Sequence, residues 1–162
     1  MVTVSAMVTE KATAMGMGMD LIRKNPSKNK IETKLIKKMA NLNMNGPFLL
    51  SIDTINKIVE EGHIGNYAYG YLNEEKVFVV LYVGRSDTNL NLRIKHGVFD
   101  KLRNPELRYE YFKFSYASTV IEAYEKECKN YHDFGGDSGR LLNDKHPARP
   151  ENTNLVCPIC SQ

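Results

Sequence analysis

Short runs of aromatic and β-branched residues in the middle of the chain are typical of strands. Residues 67–72 and 77–83 form two such runs, and the polar residues 73–76 between them predict a turn. We therefore predict an antiparallel hairpin, in which the strand that contains residues 79–83 is central to a sheet. A third run, residues 109–115, predicts a further strand.

Apolar residues at helical spacing predict helices around these strands. Residues 51–61 begin with Ser51 as a potential N-cap, and residues 119–131 begin with a capping box. The run 90–96 follows the hairpin and is predicted to end at Gly97. The chain after the last helix is rich in glycine and proline and is predicted to be irregular.

The length of 162 residues suits one globular domain with extensions. Residues 1–18 are rich in Met, Thr, Ala and Gly without a periodic pattern, which predicts a flexible leader. Residues 19–62 predict a basic helical extension. Residues 63–162 hold the hairpin, the longer helix and the tail, and are predicted to form the domain itself.

Positive charge is concentrated in the first part of the chain. Residues 1–64 contain 9 basic and 6 acidic side chains, whereas residues 65–162 contain 13 of each, so the formal net charge of +3 comes from the first part. Apolar residues at helical spacing beside the basic ones predict an amphipathic helix. Its basic face is either solvated, with the apolar stripe docked, or an arm that contacts phosphate. The basic residues are Arg23, Lys24, Lys28, Lys30, Lys34, Lys37 and Lys38.

The pattern of apolar residues also bears on location. No apolar run approaches the roughly 18 residues that a membrane span requires. The N-terminus lacks a basic segment followed by an apolar one, as a secretory signal would have. We therefore predict a soluble, cytoplasmic protein without a membrane partner.

Several polar side chains of the predicted hairpin and helices belong to types that phosphate chemistry uses. Cleavage of a phosphodiester needs a guanidinium to neutralise charge on the non-bridging oxygens, a carboxylate to hold a divalent ion, and a group that orients or deprotonates water. All of these types are present in the second half of the chain. The candidates are Tyr69, Tyr82, Arg85, Arg93, His96 and Glu127.

The order of these residues resembles that of the GIY-YIG nuclease family over residues 65–143. Residues 67–69 (Tyr-Ala-Tyr) stand where the family has Gly-Ile-Tyr, and residues 82–84 (Tyr-Val-Gly) stand for Tyr-Ile-Gly one hairpin later. In this alignment Tyr67 replaces the first glycine of the family, and the nearest glycine, Gly65, lies two residues earlier.

The later motifs follow in the same order as in the family. Arg93 falls where the family keeps its arginine, and His96 follows in the same helix. Residues 122–127 (Glu-Ala-Tyr-Glu-Lys-Glu) resemble the family's Glu-Ala-x-x-x-Glu helix, in which Glu127 matches the metal ligand. Residues 141–143 (Leu-Leu-Asn) resemble the closing segment.

The resemblance implies an α/β (α+β) fold with a small three-stranded antiparallel sheet flanked by helices, preceded here by the helical extension. It also implies a metal-dependent endonuclease that hydrolyses phosphodiester bonds of nucleic acid, with DNA favoured over RNA. In that scheme Glu127 holds Mg²⁺ or Mn²⁺ and Arg93 contacts the scissile phosphate. Residues assigned to substrate binding are Gly84, Arg85 and Asn143, although Asn143 could instead fix a loop through backbone hydrogen bonds.

The same scheme gives Tyr69 or Tyr82 the task of activating the attacking water. A free tyrosine has a pKa of about 10, so a tyrosine base at neutral pH needs positive charge nearby. Arg93 or the metal ion could supply that charge, and His96 could relay the proton instead. One carboxylate with water ligands suits Mg²⁺, which keeps much of its hydration shell.

Two other function classes remain open from the sequence. One is a non-catalytic nucleic-acid-binding or adaptor module that retains the fold. The other is a zinc-stabilised interaction protein in which the resemblance is accidental. Retention of the tyrosines, the arginine and the glutamate together favours the nuclease over both.

The three cysteines suggest a structural zinc site. Cys128 and His132 are four positions apart, so they lie on one face of the predicted helix, and Cys157 and Cys160 form a CxxC turn. A Cys₃His set would tie the tail to the helix that carries the candidate glutamate, with His146 as the substitute if His132 is not used. The competing interpretation is a buried Cys128, an exposed His132 and a terminal CxxC without a metal.

Overall fold

One antiparallel sheet with four strands organises residues 40–162, the part of the chain that the computed structural model describes. The strand order is β1-β4-β2-β3, and three helices and one short 3₁₀ helix (Gly136–Ser138) accompany the sheet. The strands are β1 (Asn45–Leu49), β2 (Gly65–Leu72), β3 (Phe78–Ser86) and β4 (Tyr111–Tyr116), and the helices are α1 (Ile52–Ile58), α2 (Leu90–Arg103) and α3 (Val120–Asp133). The predicted leader and the basic stretch of the predicted extension lie outside the described residues.

The sheet has four strands in this part of the chain, so the prediction of three was wrong. The additional strand is β1, which pairs with β4 and lies at one edge of the sheet. It is short, its register shifts between Asn45 and Phe48, and Pro47 lies within it. Proline is tolerated on an edge strand, but glycine and proline are uncommon inside strands, so Gly46 and Pro47 kept the sequence pattern from predicting this one.

The predicted hairpin is confirmed, but its second strand is not central. β2 pairs with both β3 and β4, which leaves β3 at the other edge. The sequence of β3 resembles that of a central strand because it is apolar on both faces. Val80 packs on one side of the sheet and Leu81 packs on the other. The backbone N–H of Leu142 donates to the carbonyl of Leu81 (2.7 Å), so a later segment covers part of this edge.

Helix ends follow the predicted caps more closely than the predicted stops. The Ser51 hydroxyl accepts from the backbone N–H of Thr54 (3.2 Å) at the start of α1, and Thr119 caps α3 in the same way. α2, however, continues through Gly97. A Cβ at this position would lie 2.4 Å from Cζ of Tyr69. The glycine therefore permits close packing of the helix on the sheet instead of ending the helix.

The sheet separates two apolar cores, because neighbouring strand residues point to opposite faces. Tyr67 and Tyr69 of β2 pack on the side of α1 and α2, whereas Ala68 and Val83 pack with Tyr131 of α3. Residues on the two faces can approach one another only where the sheet ends. In the described residues no helix combines the length and apolar character needed to cross a membrane.

Candidate functional site

A cavity of about 790 Å³ lies beside β3, where the loop after the strand meets α2 and α3. Its walls come from β3, α2, α3 and residues 143–148, so it draws on both faces of the sheet. The structure thus brings together most of the site residues expected from the sequence. Those that line this cavity are Tyr82, Arg85, Arg93, His96, Glu127 and Asn143.

Tyr67, and not Tyr69, presents its hydroxyl to the arginine of the site. Nε of Arg93 donates to the Tyr67 hydroxyl (3.2 Å). The Tyr69 hydroxyl is occupied by the backbone of α2: it donates to the carbonyl of Ile94 (3.0 Å) and accepts from the N–H of Gly97 (3.2 Å). Tyr69, the tyrosine that the sequence pattern favoured, therefore uses its hydroxyl to hold α2, while Tyr67 supplies the hydroxyl beside Arg93.

A signal for Tyr67 was present in the sequence. Gly65-Asn66-Tyr67 also has the spacing Gly-x-Tyr. A Cβ on Gly65 would lie 2.3 Å from the carbonyl oxygen of Ser115 on the neighbouring strand. This Gly-x-Tyr run ends on Tyr67, the tyrosine whose hydroxyl contacts Arg93.

The tyrosines of the site form a stacked pair with raised pKa values. The rings of Tyr67 and Tyr82 lie 6.1 Å apart at an angle of 22°. Burial is the largest influence and raises the pKa of both hydroxyls above the usual range, while the positive charge of Arg93 acts in the opposite direction. Arg93 alone therefore does not produce a tyrosinate base, and the neutral hydroxyls can donate and accept hydrogen bonds.

Glu127 reaches the cavity wall from α3 and forms an ion pair with Arg85. Its Oε2 accepts from Nη1 of Arg85, and Nε of Arg85 donates to Oδ1 of Asp87 (2.7 Å). The Glu127 side chain is only 11% exposed, and burial raises the pKa of its carboxyl, an effect that Arg85 partly offsets. One guanidinium thus holds two carboxylates that both line the cavity.

The other two residues assigned to substrate binding, Asn143 and Gly84, make their contacts within the protein. The Asn143 amide makes two bonds to Val83: Oδ1 accepts from its N–H (3.1 Å) and Nδ2 donates to its carbonyl (2.8 Å). A Cβ on Gly84 would lie 2.5 Å from the Tyr67 hydroxyl oxygen. Asn143 therefore anchors a loop, and Gly84 makes room for Tyr67. His96 is exposed and lines the cavity.

A second cluster could hold a metal ion such as zinc. One ligand atom from each of His132, His146, Cys157 and Cys160 lies within 4.8 Å of the others. Nε2 of His132 lies 3.3 Å from Nε2 of His146 and 3.3 Å from Sγ of Cys157. Tetrahedral zinc with N and S ligands places those atoms about 3.3 to 3.8 Å apart. The spacing therefore fits a four-ligand site.

The two histidines are oriented for this role. Nδ1 of His132 contacts Oδ2 of Asp137 (2.5 Å), and Nδ1 of His146 contacts the carbonyl of Pro147 (3.0 Å). Each contact fixes the ring so that Nε2 points to the centre of the cluster, as in many metal sites. Burial alone would raise the pKa of Cys157, but hydrogen bonds from the backbone of Cys160 and Ile159 bring it to about 6.

Cys128 does not belong to this cluster, so the expected Cys₃His set was wrong. Cys128 is buried in an apolar cluster with Tyr124 and Cys157. Burial raises the pKa of its thiol to about 12, and its sulfur is not among the four ligand atoms that lie within 4.8 Å of one another. His146 takes the fourth place. Cys128 lies on the same face of α3 as His132, as the spacing predicted, but it packs into the apolar cluster with Tyr124.

No protein-family model, curated protein or solved structure matches this chain. The structure itself defines a mixed α/β domain with a four-stranded antiparallel sheet in the described residues. It also defines a His₂Cys₂ cluster that could hold a metal such as zinc.

Proposed function

We propose that this chain is a metal-dependent endonuclease of the GIY-YIG type that hydrolyses phosphodiester bonds of nucleic acid, with DNA preferred over RNA. The observation that carries the proposal is the convergence of Tyr82, Arg93 and Glu127 on one cavity, with Tyr67 bonded to Arg93. These residues come from β2, β3, α2 and α3 and meet only at the edge of the sheet. A cytoplasmic location accompanies the proposal as a prediction.

Each residue of the cavity has a task in this scheme. Arg93 neutralises charge on the non-bridging oxygens of the scissile phosphate, and the Tyr67 hydroxyl holds its guanidinium in place. The hydroxyl of Tyr82 orients the attacking water by hydrogen bonding, because its raised pKa keeps it protonated. His96 lies on the exposed side, where it could accept the proton.

Glu127 and Asp87 suit a hard divalent cation by their donor chemistry. Both carboxylates line the cavity and share Arg85, so a positive group already lies between them. Mg²⁺ or Mn²⁺ binds through one or two carboxylates with water in the remaining positions. When bound, such an ion supplies Lewis-acid stabilisation of the phosphate and lowers the pKa of water.

We further propose that the His₂Cys₂ cluster holds Zn²⁺ in a structural role. Thiolate and imidazole ligands select zinc over oxygen-seeking ions, and four protein ligands leave no open position for chemistry. His132 lies on the last turn of α3, the helix that carries Glu127. Zinc there would join the C-terminal tail to that helix.

The decisive experiment is cleavage of supercoiled, linear and branched DNA, with an RNA control, with and without Mg²⁺ or Mn²⁺. Metal-dependent nicking by the wild-type protein supports the proposal. Specific binding without cleavage in any metal would favour the second candidate, a nucleic-acid-binding module. The ion pair between Arg85 and Glu127 is the observation that favours this second candidate, since it occupies the carboxylate.

Substituting the two neighbouring tyrosines separately is expected to distinguish their tasks. Tyr69→Phe removes buried hydrogen bonds to α2 and should lower the free energy of unfolding by about 1 kcal/mol, with little change in cleavage. Tyr67→Phe removes the partner of Arg93 and should slow cleavage severalfold or more at little cost in stability. Urea unfolding and cleavage rates measure both. If only the Tyr69 variant cleaved more slowly, Tyr69 and not Tyr67 would be the tyrosine that the proposed cleavage needs.

A further inference from the structure

The segment of residues 143–148 connects the cavity to the His₂Cys₂ cluster. Every residue of the segment lines the cavity. At its start Asn143 is bonded to the backbone of β3, and three residues later His146 contributes to the cluster. Asp144 and Lys145 therefore lie between two fixed points: Asn143, hydrogen-bonded to β3, and His146 of the candidate metal cluster.

We infer that metal bound by the His₂Cys₂ cluster positions Lys145 to bind a phosphate of the nucleic acid beside the site of cleavage. The inference rests on the proposed function for the identity of the ligand, a polyanionic backbone. It adds a binding residue and a dependence of that residue on the second metal centre.

The charges of the cavity favour Lys145 for this task. Of the cations in its walls, Arg85 is held by the carboxylates of Asp87 and Glu127. Arg93 and the exposed Lys145 are the other arginine and lysine that line the cavity. Asp144, which carries the opposite charge, is the neighbour of Lys145. Whether the cavity attracts or repels a phosphate therefore depends on which of the two side chains the loop directs toward it. A loop held at both ends sets that direction.

Without metal, the second fixed point is held by weak contacts: Nε2 of His146 lies 3.3 Å from Nε2 of His132 and 3.4 Å from Sγ of Cys160, each at most one hydrogen bond. The Nδ1 contact of His146 goes to its own neighbour, Pro147, and so does not reach another segment. Its ring packs edge-on against Tyr131 at 5.3 Å, which restrains it more weakly than coordination does. A tetrahedral ion would join His146 to His132 of α3 and to the CxxC tail.

The test measures binding of a fluorescein-labelled DNA duplex by anisotropy in the Glu127→Gln background, which prevents cleavage. Lys145→Ala is expected to weaken binding of the zinc-loaded protein about 3- to 10-fold and to reduce the slope of log affinity against log salt by about 1. Lys57→Ala, an exposed lysine of α1 outside the cavity, is the matched control. In protein stripped of zinc, the effect of Lys145→Ala should disappear.

Each result decides a separate point. Equal affinities of the Lys145→Ala and Lys57→Ala proteins would overturn the inference even if the wild-type protein cleaves DNA. An equal loss with and without zinc would show that the metal does not position Lys145, which also overturns it. Zinc-dependent binding through Lys145 in a protein that never cleaves would support the inference and refute the nuclease. Cys160→Ser, at an exposed ligand, gives a second zinc-poor form in case chelation damages the fold.

Discussion

The Glu127→Gln protein is expected to lose metal-dependent cleavage by about 10³-fold or more while it still binds nucleic acid. The carboxylate is the ligand that the proposed mechanism needs for the divalent ion, and the ion contributes several kcal/mol to stabilising the transition state. Affinity comes mainly from lysine and arginine contacts to phosphate, which the substitution leaves in place. Cleavage rates and anisotropy binding, measured on the same preparation, check both statements.

A neighbouring glutamate supplies the control. Glu125 lies on the same helix but is exposed, so Glu125→Gln should cleave like the wild type. Circular dichroism confirms that each variant is folded, which matters because Arg85 loses a charged partner in Glu127→Gln. Near-normal cleavage by a folded Glu127→Gln protein would refute the assignment of this carboxylate.

Protein purified without an affinity tag is expected to carry about one zinc ion per chain, and removal of that ion should lower Tm by roughly 10 °C. The ligands come from α3, the loop after Asn143 and the C-terminal tail, so an ion would hold three segments together. Losing it should cost a few kcal/mol, which corresponds to that shift for a domain of this size. Elemental analysis and thermal unfolding with and without a chelator measure the two quantities.

Substitutions separate the His₂Cys₂ set that the structure brings together from the Cys₃His set that the spacing suggested. His146→Ala and Cys160→Ser should lower the zinc content, whereas Cys128→Ala should keep the zinc while losing stability through poorer packing. The reverse pattern, zinc lost with Cys128→Ala and kept with His146→Ala, would restore the Cys₃His set.

The sequence predicted those features that depend on near neighbours in the chain. The turn of residues 73–76, the caps at Ser51 and Thr119, and the CxxC pair are all local, and each is found in the structure. Features that depend on packing between distant segments were missed or misplaced. Gly97 looked like a helix stop because its contact, the ring of Tyr69, lies 28 residues away in sequence.

The same reason explains where the candidate site differs from what the sequence pattern suggested. Alternation places Tyr67 and Tyr69 on the same face of β2, and only the position of α2 decides which hydroxyl meets Arg93. Cys128 and His132 share a face of α3, but the tail packs so that one is in the core and the other in the cluster. A pattern gives the face of an element, whereas the neighbour on that face is set by the whole fold.

The bonds of Leu142 and Asn143 to β3 also affect how molecules of this protein meet one another. An uncovered edge strand offers its N–H and carbonyl groups to the strand of a second chain, which is a common start of aggregation. Here the carbonyl of Leu81 and both backbone groups of Val83 are already bonded. At the opposite edge, Pro47 removes a donor from β1. The cavity can therefore lie beside a sheet edge without leaving that edge free to pair with another chain. If the segment of Leu142 and Asn143 detached from β3, the protein would lose the cavity wall and would also expose an edge strand to self-association.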